Sequence, residues 1–113
     1  MANRELEPLT ETVIEFLSSL RKKPGMYFGE ATLSRLQAYL VGYEAGLAKS
    51  GKSLAGADQF HSFHDWVAAR LGFISSTSGW CKMIQSKSEN DEEAFRSFYE
   101  LLDQFCHEKG IAR

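Results

Sequence analysis

The chain has 113 residues, of which 43% are hydrophobic and 25% are charged. This balance is typical of a single globular domain, here spanning residues 1–113, and excludes intrinsic disorder. The formal net charge of -2 excludes the broad basic surface of proteins that bind nucleic acid through phosphates, and no apolar run is long enough to span a membrane.

The N-terminal segment and the cysteines bear on cellular location. The first residues, MANRELEPLTE, lack the apolar core of a signal peptide. Cys81 and Cys106 are the two cysteines of the chain, and they form no Cys-x-x-Cys pair. We therefore expect a cytoplasmic protein that folds without disulfides, a metal or another cofactor.

The first predicted helix covers residues 9–22 and follows a frayed segment, residues 1–8. Thr10 or Thr12 is the expected cap. The Pro24-Gly25 pair is expected to end the helix because proline cannot continue the hydrogen-bond ladder. The apolar side chains that recur at helical spacing are Leu9, Val13, Phe16, Leu17 and Leu20.

The second predicted helix, residues 32–49, has the clearest helical periodicity. Its apolar positions are Leu33, Leu36, Leu40, Tyr43 and Leu47. Gly42 and Gly46 lie on a neighbouring strip, and glycine within a helix costs about 1 kcal/mol relative to alanine. These glycines indicate either a close crossing by another helix or a helix that is weakened without a packing role.

The rest of the chain is predicted to be helical with connecting loops. Asp58 and Asn90 are the expected helix caps, and Gly72 and Gly110 are the expected stops. The predicted segments are a connection over 50–57, a helix over 58–71, a loop over 73–79, a short helix over 80–85 and a last helix over 91–109. Because no strand is predicted, the expected fold class is all-α, a single compact domain of about five helices.

The least generic stretch is residues 21–29, Arg-Lys-Lys-Pro-Gly-Met-Tyr-Phe-Gly. It places Met26, Tyr27 and Phe28 in a short connection beside three positive charges. Two interpretations are open. The loop plugs the space between the first two helices, or it is a recognition loop, since exposed aromatic residues near positive charge suit a partner surface.

This stretch resembles the opening of type II topoisomerase ATPase domains over residues 21–29. The ATP site of that family needs an acidic-Asn helix and later glycine-rich loops. The helix that follows here, residues 33–47, has no Asp-Asn pair, and the glycine-rich loops are also missing. We therefore expect no ATPase activity.

A closer resemblance, over most of the chain, is to a group of short, largely uncharacterised bacterial proteins. Some of these proteins resemble immunity or antitoxin partners of polymorphic toxins. The matching elements are a basic-x-Pro-Gly-Met-Tyr turn, Gly42-Tyr43, Phe63-His64-Asp65-Trp66, Gly79-Trp80 and residues 91–98. The resemblance implies a bacterial protein whose partner is another protein, such as a toxin.

Three residues carry an alternative hypothesis of a small-ligand-binding or enzymatic domain. His61 and Asp65 are four residues apart and so share a helix face, as in a histidine oriented by a carboxylate to act as a general base. Cys81 lies near a predicted helix start, which lowers the pKa of a thiol. Catalysis would require these groups to converge. No second set of residues has metal-ligand spacing, so we predict no metal site.

Asp91, Glu92 and Glu93 lie in the first turn of the last predicted helix, where the helix dipole favours acidic residues. They are interpreted either as a solvated, capped helix start or as an acidic surface for a basic partner, such as a nuclease toxin. Complementary charge would accelerate that encounter.

The sequence thus predicts a non-enzymatic protein-binding module, most concretely an immunity- or antitoxin-type partner that occludes a bacterial toxin. The alternatives are the enzymatic or ligand-binding domain and a self-associating structural protein that dimerises through the strip of Gly42 and Gly46. The candidate contact residues are Met26, Tyr27, Phe28, Asp91, Glu92 and Glu93.

Overall fold

The structure, a computed structural model, describes residues 6–113, which form two short strands and six helices. In chain order these are β1 (Glu7–Thr12), α1 (Val13–Leu20), α2 (Pro24–Phe28), α3 (Leu33–Lys49), β2 (Lys52–Ala55), α4 (Ala57–Leu71), α5 (Gly79–Ser86) and α6 (Asp91–Lys109). The predicted mostly helical globule is confirmed, whereas the strictly all-α class is corrected by the two strands. None of the helices in residues 6–113 combines the length and the apolar character needed to cross a membrane.

Strand β1 corrects the predicted start of the first helix. The Thr12 hydroxyl accepts a hydrogen bond from the Glu15 N–H, and the Glu15 carboxylate accepts one from the Thr12 N–H, each at 3.0 Å. This reciprocal capping box starts α1 at Val13. Residues 7–12 are therefore extended rather than frayed or helical. Residues 1–5 of the predicted frayed segment lie outside the described residues.

The predicted connection over 50–57 contains the second strand, β2, which pairs with β1 in parallel. Leu54 anchors β2 in the core. Gly56 follows with a φ of +69°, and a Cβ there would approach the Thr12 Cβ to 3.3 Å, so glycine suits the passage from β2 into α4. The paired residues are Glu7 with Lys52, Pro8 with Ser53 and Thr12 with Ala55.

The predicted Pro-Gly turn is itself a short helix, α2. Pro24 occupies its first position, where the missing N–H would have no helical partner anyway. Gly29 ends α2 with a φ of +87°. The first helix has already ended at Leu20, so three basic residues lie between α1 and α2 rather than in the last turn of a helix.

The remaining helices, α3 to α6, begin and end within one residue of the predicted bounds. Asn90 caps α6 by accepting the backbone N–H of its third residue at 2.8 Å, and Gly72 and Gly110 end their helices in the left-handed conformation, as predicted. Asp58 is not the cap of α4, because that helix begins one residue before it.

Aromatic side chains from three helices form the centre of the core. Phe63 of α4 lies 5.7 Å from Phe98 and 5.3 Å from Phe105 of α6, with the ring pairs edge to face. Trp80 of α5 lies 4.8 Å from Phe98. All four side chains are buried. Each such pair stabilises the fold by about 0.5–1.5 kcal/mol in addition to the effect of burying its apolar surface. These contacts therefore position α4, α5 and α6 against one another.

Gly42 and Gly46 do not mark a helix crossing among the described residues. A Cβ built on either glycine meets no atom of another element within 4 Å. The buried side of α3 is formed instead by Leu33, Leu36 and Leu40. The predicted crossing is therefore wrong within residues 6–113, and the glycine strip faces open space.

The buried hydroxyl of Tyr99 provides a test of this packing. It donates to the Leu17 carbonyl at 2.6 Å and so ties α6 to α1. Tyr99→Phe leaves that carbonyl without the donor, so we expect the free energy of unfolding to fall by about 1–3 kcal/mol, as measured by urea denaturation. Tyr43→Phe removes a hydroxyl from a half-buried ring and serves as the control. An equal loss in both variants would contradict the assigned role.

Candidate functional site

Helix α2 presents two large apolar side chains to solvent. Met26 is 75% exposed and Tyr27 is 42% exposed. We call these two residues the α2 knob. Exposed apolar residues scattered singly are common on proteins, whereas two adjacent ones on a short, well-supported helix form a surface feature that a partner can bind.

The third apolar residue of this segment, Phe28, faces inward and supports the knob. Its ring lies 5.7 Å from Tyr39 of α3 and 6.3 Å from Phe95 of α6. Tyr27 in turn packs edge to face on Tyr39 at 6.0 Å. The two interpretations of the segment therefore apply to different residues: Phe28 plugs the space beside α3, and Met26 and Tyr27 remain available.

Arg35 of α3 holds the end of α2. Its Nη1 donates to the Phe28 carbonyl at 3.2 Å. The same nitrogen would lie 3.2 Å from a Cβ at Gly29, so the guanidinium sits directly over the turn that follows α2. The positive charge lies where the last carbonyls of a helix lack backbone partners, and this contact ties the C-terminal end of α2 to α3.

The basic residues that precede the knob differ in their surroundings. Arg21 forms a two-pronged ion pair with Asp103, with both N–O distances at 2.9 Å, and its guanidinium lies 5.0 Å from the Tyr99 ring. Lys22 and Lys23 are exposed, and neither forms an ion pair with any residue in the described range 6–113. The positive charge beside the knob that is not paired with an acid therefore comes from these two lysines and from Arg35, which lies over the end of α2.

A shallow groove of about 530 Å³ lies beside this basic segment and opens to solvent. Two serine hydroxyls and charges of both signs line it, so it has no single electrostatic character. Its lining residues are Glu15, Ser18, Ser19, Arg21, Lys22 and Arg113.

Asp91, predicted as a contact residue, is engaged within the fold. Its carboxylate accepts hydrogen bonds from the Ser34 N–H at 3.3 Å and from the Gln85 amide at 3.1 Å. Burial acts to raise the pKa of Asp91, but the hydrogen bonds from Ser34 and Gln85 more than offset it and hold the pKa below its usual value. Thr32 is the local cap of α3, and Asp91 of α6 adds an acceptor for the Ser34 N–H in the first turn of α3 and also contacts α5.

Helix α6, which begins with the acidic turn, approaches α2 through an aromatic contact that the sequence did not predict. Phe95, one turn further along α6, is the residue that contacts Phe28. Of the three acids in that turn, Glu92 is exposed, whereas Asp91 and Glu93 are partly buried. Phe28 of the first group of predicted contact residues therefore meets the helix that carries the second group, and Glu92 is the exposed acid of that group.

His61, Asp65 and Cys81 are not joined by any hydrogen bond within residues 6–113. The Asp65 carboxylate instead accepts the Ser76 hydroxyl at 2.6 Å. Cys81 is buried, and burial raises the pKa of its thiol to about 11, with Asp91 as the next contribution. A protonated, buried thiol is a poor nucleophile, so this geometry does not favour a catalytic site at these three residues.

The histidine with a defined role is His64. Its Nδ1 accepts the backbone N–H of Trp80 at 3.3 Å, at the start of α5. The sequence offered no direct signal for this contact, because it joins residues sixteen apart in the chain and several serines nearby would serve equally well as local caps. In the described part of the chain, no group of three or more His, Cys, Asp or Glu side chains is arranged to hold a metal ion.

Comparison with known proteins finds no match to a family model, to a curated protein or to a solved structure.

The environment of Cys81 predicts slow alkylation. With a pKa near 11 in place of 9.0, the thiolate fraction at neutral pH is about 100-fold lower than that of an ordinary thiol. In a Cys106→Ala variant, iodoacetamide should modify Cys81 at least about 100-fold more slowly in the native protein than in urea, as followed by mass spectrometry. Native labelling as fast as that of a small thiol would show an accessible nucleophile and revive the enzymatic hypothesis.

Proposed function

We propose that this protein is a non-enzymatic protein-binding module and that the α2 knob is the centre of its contact surface. The observation that carries the proposal is the 75% exposure of Met26. The two aromatic side chains of the same helix, Tyr27 and Phe28, pack against neighbouring helices. A partner that covers Met26 and Tyr27 would remove apolar surface from water, which is the main favourable term in most associations.

The rigidity of the knob increases its value as a contact. Tyr27 packs on Tyr39, Phe28 packs on Tyr39 and Phe95, and Arg35 fixes the end of the helix. A side chain that is already ordered loses less conformational entropy on binding. Tyrosine is also one of the residues that most often dominate the binding energy of interfaces.

The charges around the knob support a partner that presents an apolar pocket with a mixed polar rim. Lys22 and Lys23 lie on the chain just before α2, and Glu92 lies in the first turn of α6, the helix that contacts α2 through Phe95. Such rim charges affect the encounter rate and orientation more than the final affinity. Asp91 and Glu93 contribute less to this rim because both are partly buried.

The concrete form of this proposal is an immunity- or antitoxin-type protein of the bacterial cytoplasm that blocks a toxin by occlusion. Its support is the resemblance of most of the chain to a group of short, largely uncharacterised bacterial proteins, some of which resemble such partners, together with the exposed knob. The natural candidate for the partner is the protein encoded beside this one.

The test compares Met26→Asp with Ile74→Asp. Each variant replaces an exposed aliphatic side chain by a charge, but Ile74 lies on the loop between α4 and α5. We expect Met26→Asp to weaken the complex with the neighbouring gene's product by about ten-fold or more, since about 1.4 kcal/mol corresponds to ten-fold in Kd, and Ile74→Asp to leave it unchanged. Calorimetry measures the affinity, and rescue of growth on co-expression reports occlusion.

Two results would contradict the proposal. One is equal affinity of wild type and Met26→Asp, which would place the contact elsewhere. The other is the absence of both a complex and a growth rescue with the neighbouring protein, which would remove the immunity- or antitoxin-type function.

A second candidate function, self-association, is favoured by the outer face of α3. Val41 is 57% exposed, and nothing lies within 4 Å of a Cβ at Gly42 or Gly46. Small residues allow two helix axes to approach closely. A second copy could therefore lay its own α3 against this face, with the two-fold symmetry that most homodimers show.

Light scattering tests this candidate. A homodimer would have twice the 12.7 kDa mass of the chain at about 100 μM, and Val41→Asp would return it to the monomer mass because an unpaired buried charge opposes association. Wild-type protein that remains monomeric at this concentration would contradict self-association, while leaving the binding of another protein at the α2 knob unaffected.

A further inference from the structure

The N-terminus of α5 is capped from outside its own segment. The preceding residue, Ser78, makes no side-chain capping bond, although serine is among the best residues for that role. The Trp80 N–H is instead accepted by Nδ1 of His64 on α4 at 3.3 Å. A histidine from one helix thus supplies the acceptor that another helix lacks.

A second contact ties the loop before α5 to the same place on α4. The Ser76 hydroxyl donates to the Asp65 carboxylate at 2.6 Å. His64 and Asp65 are adjacent residues, so α4 holds both the loop over residues 73–78 and the first turn of α5. The loop carries Ile74, whose side chain is fully exposed.

The hydrogen bond to Trp80 requires one protonation state of His64. A ring nitrogen can accept an N–H only when it carries no proton, so the neutral ring has its hydrogen on Nε2. Protonation of the ring places a hydrogen on Nδ1, so that two donors, this N–H and the Trp80 N–H, face each other. The positive charge would also lie at the N-terminal end of α5, where the helix dipole disfavours cations.

The surroundings of His64 favour the neutral form. Burial lowers its pKa, the neighbouring His61 lowers it further, and Asp65 acts in the opposite direction. These are the titratable groups that act on His64 from α4, and the loop over residues 75–78 contributes only uncharged serine and threonine side chains. On α5, Cys81 is a buried thiol whose pKa is raised, and Lys82 is exposed. The hydrogen bond that the Ser76 hydroxyl donates occupies one carboxylate oxygen of Asp65.

We propose that the connection between α4 and α5 is an acid-released clamp, in which protonation of His64 frees the first turn of α5 and the loop over residues 73–78 from α4. The protonation of His64 sets the pH range over which the clamp opens. Because the pKa of His64 in the folded protein lies below its value of about 6.5 in the unfolded chain, the hydrogen bond to Trp80 stabilises the fold fully above about pH 6.5. This stabilisation is lost as the pH falls from about 6.5 through the pKa of His64 in the folded protein.

Amide exchange of Trp80 tests the clamp, with NMR protection factors measured on the intact protein between pH 7.5 and pH 5. In the wild type, the protection of the Trp80 amide should fall as the pH drops below about 6.5, while that of core amides in α6 stays constant. In His64→Asn the amide oxygen can accept at every pH, so the dependence should disappear. His61→Asn, one turn away on α4, is the control and should retain the pH dependence, with its midpoint moved to higher pH because the charge of His61 no longer lowers the pKa of His64.

A nitrogen-15 spectrum of the histidine rings provides an independent measurement that needs no variant. It should show His64 at neutral pH with Nδ1 unprotonated and Nε2 protonated. The clamp is overturned if His64 carries its proton on Nδ1 or if Trp80 protection in the wild type does not change with pH. It is equally overturned if His64→Asn folds and keeps the wild-type pH dependence.

Discussion

The edge-to-face packing of Phe63 against Phe98 and Phe105 is the interaction on which the rest of the structure depends. It joins α4 to α6, and Trp80 adds α5 to the same cluster through Phe98. Aromatic side chains fill this centre, and among the described residues every buried side-chain polar atom has a hydrogen-bond partner. The chemistry of the protein is therefore carried by its surface and by the ends of its helices.

Several helix ends depend on residues from other elements, which follows from this close packing. Asp91 of α6 supplements the local cap of α3, His64 of α4 caps α5, and Arg35 of α3 closes α2. Each contact uses a polar group that would otherwise need water or a local cap. The same arrangement holds the α2 knob in place, so that Met26 and Tyr27 remain exposed on a rigid support.

Local signals predicted α3 to α6 well, but they placed the ends of α1 wrongly, missed α2 and did not predict contacts between distant segments. The periodicity of α3 to α6 and the cap at Asn90 depend on neighbours a few residues away. The parallel pairing of β1 with β2 joins residues 45 apart, as in the ion pair of Glu7 with Lys52, and strands of six and four residues are too short for a clear alternating pattern. For the site, the exposure of Met26 and the internal role of Asp91 depend on tertiary packing, which composition and spacing do not contain.

The central claim is that a rigid, exposed surface around α2 binds another protein. Hydrogen–deuterium exchange across the whole chain, alone and mixed with the product of the neighbouring gene, tests it most directly. The account predicts new protection over residues 21–30 and at the start of α6. Protection confined to the loop between α4 and α5, with residues 21–30 unchanged, would contradict it, as would the lack of any protection.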